Sequence, residues 1–166
     1  MVARRDFNTE CESFARGRCY IYLMNRYRIL VADPNPAVRK LLSMVFDSGR
    51  CELSFASDGE DALGKALVEP PELVITELRL DRMDGVALCE RLKEHPRTSS
   101  AKVLFLTTCT SEWEMRRASR AKADGYMTKP FSPTVLLRRC DELLGGVPDV
   151  VSEDHRLRTM DNGTCG

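Results

Sequence analysis

The sequence predicts one α/β domain, a doubly wound sheet of five parallel strands in the order 2-1-3-4-5. From residue 29 onward, short apolar runs alternate with segments of helical periodicity, which is typical of helices wrapped around a parallel sheet. The connections between these segments are short. A chain of 166 residues also has room for one sizeable core, and not for two ordinary ones.

The first strand and helix are marked by an apolar run and a helical pattern after it. The run at 29–32 predicts the strand, and Pro36 suits the first turn of the helix. Gly49 is expected to end that helix. Between them, apolar residues recur at the i, i+3, i+4, i+7 spacing of a buried helix face: Val38, Leu41, Leu42 and Val45.

The second strand, 51–56, alternates apolar and polar residues. Asp58 is a good N-cap for the helix that follows, and the Pro70-Pro71 pair stops this helix before the next strand. The predicted inner face of the helix consists of small and aliphatic residues: Ala62, Leu63, Ala66 and Leu67.

The third strand, 73–78, is apolar on both faces until Glu77. A helix over 85–94 follows it, and Asp84 is a plausible N-cap for that helix. The fourth strand is 103–107. Uninterrupted apolar runs of this kind are typical of strands that are buried on both faces of a parallel sheet.

The last two helices carry clear start signals. Ser111 with Glu114 forms a capping box that opens the fourth helix. The fifth strand is 125–128. Ser132 is the predicted N-cap of the final helix, and Gly145-Gly146 ends it.

Composition excludes several classes of function. The formal net charge is zero and the pI is about 6.7, so there is no footprint for nucleic acid or for a membrane surface. No apolar stretch approaches the ~20 residues that would cross a bilayer. The seven cysteines lack a C-x-x-C pair, which predicts structural thiols in a reducing cytoplasm and no metal cluster.

The two ends of the chain lack the alternating strand and helix patterns of its centre. We expect residues 1–27 to be a disordered extension, 28–146 to be the domain, and 147–166 to be a flexible tail. Alternatively the start site is misassigned, because Met24 lies five residues before the first strand. The tail fits a linker remnant and a docking peptide equally well.

In a doubly wound sheet of this order, ligands bind at the carboxyl ends of strands one and three. Polar or charged residues stand at or next to the carboxyl ends of strands one, three, four and five: Asp33, Glu77, Thr107 and Lys129. Function is therefore expected at this edge. Taken singly, Thr107 is also a normal β-branched strand residue, and Lys129 is also at home in a solvated turn.

Five motifs in this order resemble the receiver domain of bacterial response regulators. They are Ile29-Leu30-Val31-Ala32-Asp33, Leu73-Val74-Ile75-Thr76-Glu77-Leu78, Met83-Asp84-Gly85, Thr107 and Lys129-Pro130-Phe131. The resemblance spans about 28–145 and implies the flavodoxin-like receiver fold. It also implies a cis bond between Lys129 and Pro130, as is usual for tight turns with X-Pro.

The resemblance implies roles for individual residues. Receivers accept a phosphoryl group from a histidine kinase onto an aspartate, with Mg²⁺ held by acidic side chains, and Glu77 stands at that acceptor position. Asp33 would belong to the acidic pair, Thr107 would bond a phosphoryl oxygen, and Lys129 would supply the counter-cation. Tyr126 would be the aromatic switch, although a core-edge aromatic fits the sequence as well.

Two departures from the family pattern argue against metal and phosphate. Pro34 replaces the second acidic residue after strand one, and proline has no side-chain oxygen for Mg²⁺. Asn35 offers a neutral oxygen as an alternative. We therefore expect no metal or other cofactor, with Mg²⁺ on Asp33 and Glu77 only if the chain is a conventional receiver.

The second departure is Glu77 itself, whose extra methylene extends the carboxylate toward the place of a phosphoryl group. It is expected to reach Lys129 and Thr107 directly, with less charge than a phosphoryl group carries. Arg79 is a candidate substitute for the missing metal charge, because strand alternation would return it to the side of Asp33 and Glu77. A solvated loop arginine is the alternative.

The fourth helix carries Trp113 beside a basic run of Arg116, Arg117, Arg120 and Lys122. A solvated face is one reading of this pattern. Tryptophan among arginines is also typical of interface anchors. We therefore predict a partner surface made of Trp113, Arg116 and Arg120 with the fourth helix, fifth strand and fifth helix, for a histidine kinase, a downstream effector or a second copy.

The preferred function is a single-domain pseudo-receiver that signals by protein–protein contact in the cytoplasm. The alternative is a conventional Mg²⁺-dependent receiver that relays phosphate from a histidine kinase. An enzyme is not expected, because there is no nucleophile elbow or Gly-rich phosphate loop. DNA binding is not expected either, because about twenty residues after 145 are too few for a helix-turn-helix domain.

Overall fold

The computed structural model describes residues 27–46 and 51–145. Its strands and helices alternate along the chain as β1 (Tyr27–Ala32), α1 (Pro36–Val45), β2 (Cys51–Ala56), α2 (Gly59–Val68), β3 (Leu73–Thr76), α3 (Gly85–Glu94), β4 (Lys102–Thr107), α4 (Glu112–Arg120), β5 (Gly125–Thr128) and α5 (Pro133–Leu143). The predictions for 1–26, Gly49 and 146–166 lie outside the described residues.

The five strands form one parallel sheet in the order β2-β1-β3-β4-β5, which confirms the predicted fold. Successive residues of a strand point to opposite faces, and this divides the core in two. One cluster contains Leu30, Val74 and Phe105 with residues of α2, α3 and α4. The other contains Ile29, Ile75 and residues of α1 and α5.

Three strands differ in length from the prediction, and β4 differs only by beginning one residue early, at Lys102. β1 begins two residues early, at Tyr27, because the Arg28 amide and guanidinium both bond Glu72, the latter at 2.6 Å. β3 ends two residues early, at Thr76. Beyond it the Gly85 amide donates to the Leu78 carbonyl at 2.8 Å, so the chain turns back toward α3 and leaves the sheet.

Helix caps follow the sequence signals in three cases and not in the fourth. The side chains of Asp58, Asp84 and Ser111 each accept the backbone N–H three residues ahead. Ser132 occupies the N-cap position of α5 but makes no side-chain capping bond. Pro133 at the first helical position has no N–H to satisfy, so the helix starts there without one.

Gly85 allows the start of α3 to approach the end of β3. A Cβ atom at this position would lie 2.2 Å from the Glu77 carbonyl oxygen. We expect Gly85→Ala to destabilise the fold by about 1–3 kcal/mol, the usual cost of overpacking, measured by urea unfolding. The control is Gly64→Ala, where a Cβ meets nothing within 4 Å and alanine should stabilise α2 by up to about 1 kcal/mol. Equal effects would contradict the close approach.

Candidate functional site

Four side chains meet where β1, β3, β4 and β5 end at the carboxyl edge of the sheet. Asp33 and Glu77 follow β1 and β3 directly, Thr107 ends β4 and Lys129 follows β5. The two carboxylic residues are 3% and 5% exposed, and Thr107 is fully buried. Parallel strands end at one edge, so the topology alone brings these distant residues together.

Both oxygens of the Glu77 carboxylate are occupied. Oε1 accepts hydrogen bonds from the Leu78 amide at 2.9 Å and from the Thr107 hydroxyl. Oε2 accepts from Lys129 Nζ at 2.8 Å and from the Thr108 amide at 3.3 Å. Glu77 therefore reaches Lys129 and Thr107 directly, as its length predicts.

Lys129 bridges the two buried carboxylates. Its Nζ lies 2.5 Å from Asp33 Oδ2 as well as 2.8 Å from Glu77 Oε2, and its side chain is 12% exposed. The remaining oxygen, Asp33 Oδ1, accepts the Asn35 amide at 2.8 Å. The bond from Lys129 to Pro130 is cis, as expected.

The electrostatics of this cluster follow from its burial. Removing a carboxylate from water is costly unless a cation and hydrogen-bond donors compensate it. Here each carboxylate has both. One ammonium serves two carboxylates, so the three side chains together carry a formal charge of −1, and the surrounding amides and the Thr107 hydroxyl stabilise the remainder.

A hydrogen-bonded path leads from Glu77 to Tyr126. Thr107 Oγ1 donates to Glu77 and accepts the Cys109 amide at 3.1 Å. The Tyr126 hydroxyl donates to the Cys109 carbonyl at 2.5 Å, and its ring centroid lies 6.4 Å from that of Phe105. Burial raises the pKa of the Tyr126 hydroxyl, so it remains a donor at neutral pH.

The residues present do not fit the Mg²⁺ that the family resemblance implies. Pro34 offers no side-chain oxygen, and Asn35 Oδ1 accepts the Ala37 amide at 2.9 Å as the cap of α1. Every oxygen of Asp33 and Glu77 already accepts a hydrogen bond. Within 27–46 and 51–145, no three His, Cys, Asp or Glu residues form a metal-binding group. Octahedral Mg²⁺ needs several free oxygens.

Arg79 does not take the predicted position beside Asp33 and Glu77, and this corrects the sequence prediction. Its side chain is 77% exposed and its Nη2 lies 3.3 Å from Glu114 Oε1. The reason is the early end of β3: after Thr76 the strand alternation no longer applies. Lys129 provides the positive charge between the carboxylates instead.

The predicted partner-surface residues lie on the outer side of α4. Trp113 is 66% exposed and Arg116 and Arg120 are also exposed. Arg116 pairs with Glu112 within the helix at 3.2 Å. The sequence analysis placed Arg117 in the basic run but did not predict its contacts: its guanidinium lies 5.0 Å from the Trp113 ring centroid and bonds Asp84. Its i+4 spacing from Trp113 was the available signal for the first contact.

Comparison with known proteins agrees with this geometry. A family model described as the response regulator receiver domain matches residues 29–141. The chain belongs to this family. The receiver fold also appears in solved structures: chemotaxis response regulator CheY4 of Vibrio cholerae has a TM-score of 0.67 at 24% identity, with 72% of this chain and 99% of that one covered. A CheY-like receiver protein of Methanospirillum hungatei JF-1 gives 0.67 at 25% identity, covering 71% and 93%.

Curated relatives of this receiver are longer proteins. The alkaline phosphatase synthesis transcriptional regulatory protein PhoP of Bacillus subtilis (strain 168) is 34% identical over 73% of this chain and 49% of that protein. The DNA-binding dual master transcriptional regulator RpaA of Synechocystis sp. is 32% identical, with shares of 70% and 48%. The chain thus spans about half the length of these relatives.

The helices α1 to α5 are 9 to 11 residues long. Across 27–46 and 51–145, none combines the length and apolar composition that a bilayer crossing requires. Most of its helices instead have one buried face, packed against the sheet.

Proposed function

We propose that this receiver is a pseudo-receiver that takes part in two-component signalling by protein–protein contact, without phosphorylation. One observation carries the proposal: the Glu77 carboxylate already bonds Thr107 and Lys129. By family resemblance these are the groups that would bond a phosphoryl oxygen. The side chain therefore makes, permanently, contacts that a conventional receiver makes only after phosphoryl transfer.

The path from Glu77 through Thr107 and Cys109 to Tyr126 supports a fixed signalling state. Each step is a hydrogen bond between groups that are partly or fully buried. Buried hydrogen bonds are costly to leave unmade, so the loop after β4 is held by the Glu77 side chain. In this proposal Tyr126 acts as the switch residue, held in a single position.

The lack of free carboxylate oxygens supports a chain with no metal, no cofactor and no catalysis of its own. Attack on a phosphorylated donor needs a divalent cation to neutralise the clustered charge. The conventional, phosphate-accepting function would require Glu77 to release its donors first. We infer a cytoplasmic protein, which agrees with the buried cysteine thiols Cys89, Cys109 and Cys140.

The proposed partners are a histidine kinase, a downstream effector or a second copy of the chain, bound through α4, β5 and α5. Exposed Trp113, Arg116 and Arg120 would supply the contacts. No nucleic acid contact is proposed, because the formal net charge is zero. The names of the two curated relatives describe transcriptional regulation, and that of RpaA also DNA binding, for proteins of about twice this matched length.

The proposal is tested by incubating the chain with acetyl phosphate and Mg²⁺ and measuring its intact mass. We expect no added phosphoryl group, because neither the acceptor nor the metal site is available. Glu77→Gln, which cannot form an acyl phosphate, gives the background. A stoichiometric gain of one phosphoryl group in the original chain but not in Glu77→Gln would refute the pseudo-receiver.

A further inference from the structure

Helix α4 is held against the domain by little buried surface. Ala118 is the one residue of the helix that is buried, while Trp113 and Met115 are 66% and 46% exposed. In α3, by comparison, five residues are buried. Elements with few buried apolar contacts open at low free-energy cost, so α4 depends on other interactions for its position.

Open space flanks α4 on both sides. A cleft of about 280 Å³ separates it from the loop after β3, and Leu78, Leu80 and Val86 line its apolar part. A second cleft of about 250 Å³ lies toward β5, beside Met115 and Tyr126. Because side chains do not fill these clefts, packing alone leaves the orientation of α4 undetermined.

Two ion pairs span the first cleft. Arg79 Nη2 lies 3.3 Å from Glu114 Oε1, and Arg117 Nη2 lies 3.1 Å from Asp84 Oδ2. Glu114 and Arg117 are three residues apart and therefore share one face of α4. The pairs have opposite polarity, because α4 supplies the acid of one and the base of the other. A shift of the helix along its axis would bring Glu114 toward Asp84, or Arg117 toward Arg79, and these like charges would repel.

The partners of α4 in these pairs, Arg79 and Asp84, belong to the loop 77–84 between β3 and α3. Arg79 follows Glu77 by two residues. Asp84 is the N-cap of α3, and its other oxygen, Oδ1, accepts the Ala87 amide at 2.7 Å. On the helix side, Glu114 Oε2 accepts the Ser111 hydroxyl at 2.9 Å, and Arg117 lies over the Trp113 ring.

We propose that Arg79 and Asp84 are positioning residues that hold α4, and Trp113 upon it, in one orientation relative to the loop that follows Glu77. The inference rests on the proposed function in that α4 is taken as the partner surface. It adds a second route from position 77 to that surface, besides the route through Thr107 and Tyr126. This route runs from the loop through Asp84 and Arg117 to the exposed indole.

The contribution of the two ion pairs to the closed position of α4 can be estimated from the usual strength of exposed ion pairs. A single exposed pair shifts an equilibrium by about two- to five-fold. Two pairs on one helix face should therefore shift the opening of α4 by about ten-fold when both are removed. The effect should weaken as salt screens the charges.

The first measurement uses hydrogen exchange of α4 amides in the full chain, with acrylamide quenching of Trp113, the one tryptophan in the sequence. We compare the original chain with Arg79→Gln/Asp84→Asn, in which asparagine can still cap α3. The matched control, Glu112→Gln/Arg116→Gln, removes an exposed pair that lies wholly within α4. Exchange of β3 amides shows whether each variant stays folded.

We expect exchange in α4 to accelerate about ten-fold in Arg79→Gln/Asp84→Asn and only about two-fold in the control, which loses a single i,i+4 pair within the helix. Trp113 should become more accessible to quencher in the former only. Unchanged exchange in α4 would overturn the inference. So would equal acceleration in the variant and the control, since that would reflect helix stability alone.

The second measurement asks whether Arg79 and Asp84 transmit the state of position 77 to Trp113 or only stabilise α4. Glu77→Gln is introduced with and without Arg79→Gln/Asp84→Asn, and quenching of Trp113 is read in each. If the pairs transmit the state of position 77, the effect of Glu77→Gln on Trp113 shrinks at least two-fold once they are removed. An undiminished effect overturns the inference and leaves the proposed function standing. No effect of Glu77→Gln in either background counts against the proposed function, while the exchange result still decides the positioning of α4.

Discussion

Lys129→Met is expected to destabilise the domain by about 3–5 kcal/mol, the cost of removing one partner from a buried ion pair. Methionine has nearly the same length but no charge, so Asp33 and Glu77 would stay buried with no cation between them. The measurement is urea unfolding at pH 7, with the slope of the transition checked to confirm that the unfolded surface is unchanged.

The control for this prediction is Lys65→Met. Lys65 also pairs with a carboxylate, Asp61 at 2.7 Å, but its side chain is 44% exposed. Exposed pairs contribute about 0–1 kcal/mol, so this change should cost little. A loss at Lys129 no larger than at Lys65 would mean that the carboxylates of Asp33 and Glu77 are solvated, which would contradict their burial in this site.

The second large expected effect is a gain of Mg²⁺ binding and of phosphorylation. Pro34→Asp/Glu77→Asp restores the second acidic residue and the shorter acceptor, and we expect the variant to bind Mg²⁺ and to gain one phosphoryl group from acetyl phosphate. A unit negative charge about 4 Å from a divalent cation contributes about 8 kcal/mol at an effective dielectric near 20, before desolvation. Retaining even a fifth of that raises Mg²⁺ affinity about ten-fold.

Titration with Mg²⁺, followed by thermal unfolding and by intact mass, checks this prediction. Glu77→Asp alone should gain little, because Pro34 still supplies no oxygen. Pro34→Asn/Glu77→Asn controls for the changes in shape without adding charge. If the double aspartate variant neither binds Mg²⁺ nor gains mass, the barrier lies elsewhere, and the loop at Arg82, which has a positive φ of 62°, is the next place to test.

The sequence predicts most of the site because topology and side-chain length decide it. Strand order places Asp33, Glu77, Thr107 and Lys129 at one edge, and the extra methylene of glutamate covers the remaining distance to Lys129 and Thr107. The sequence does not predict that every oxygen of the Asp33 and Glu77 carboxylates accepts a hydrogen bond. It depends on backbone amides of Asn35, Leu78 and Thr108, whose directions are set by loop geometry.

Arg79 shows where sequence reasoning fails. Alternation along a strand predicts its side only while the strand continues, and β3 ends at Thr76. Its partner, Glu114, is 35 residues away, on a helix whose placement over the cleft no local pattern determines. Asp84 is similar, because its capping role was visible in the sequence whereas its pair with Arg117 depends on tertiary structure.

The saturated Glu77 side chain has a consequence for timing in the cell. A phosphoryl group can be hydrolysed from an aspartate, but a carboxylate that belongs to the polypeptide cannot be removed. On the proposed function, this receiver has no chemical off-step, and its output follows the number of copies present. The cell would then adjust the signal by synthesis and proteolysis, on the timescale of the protein's lifetime and not on that of an acyl phosphate.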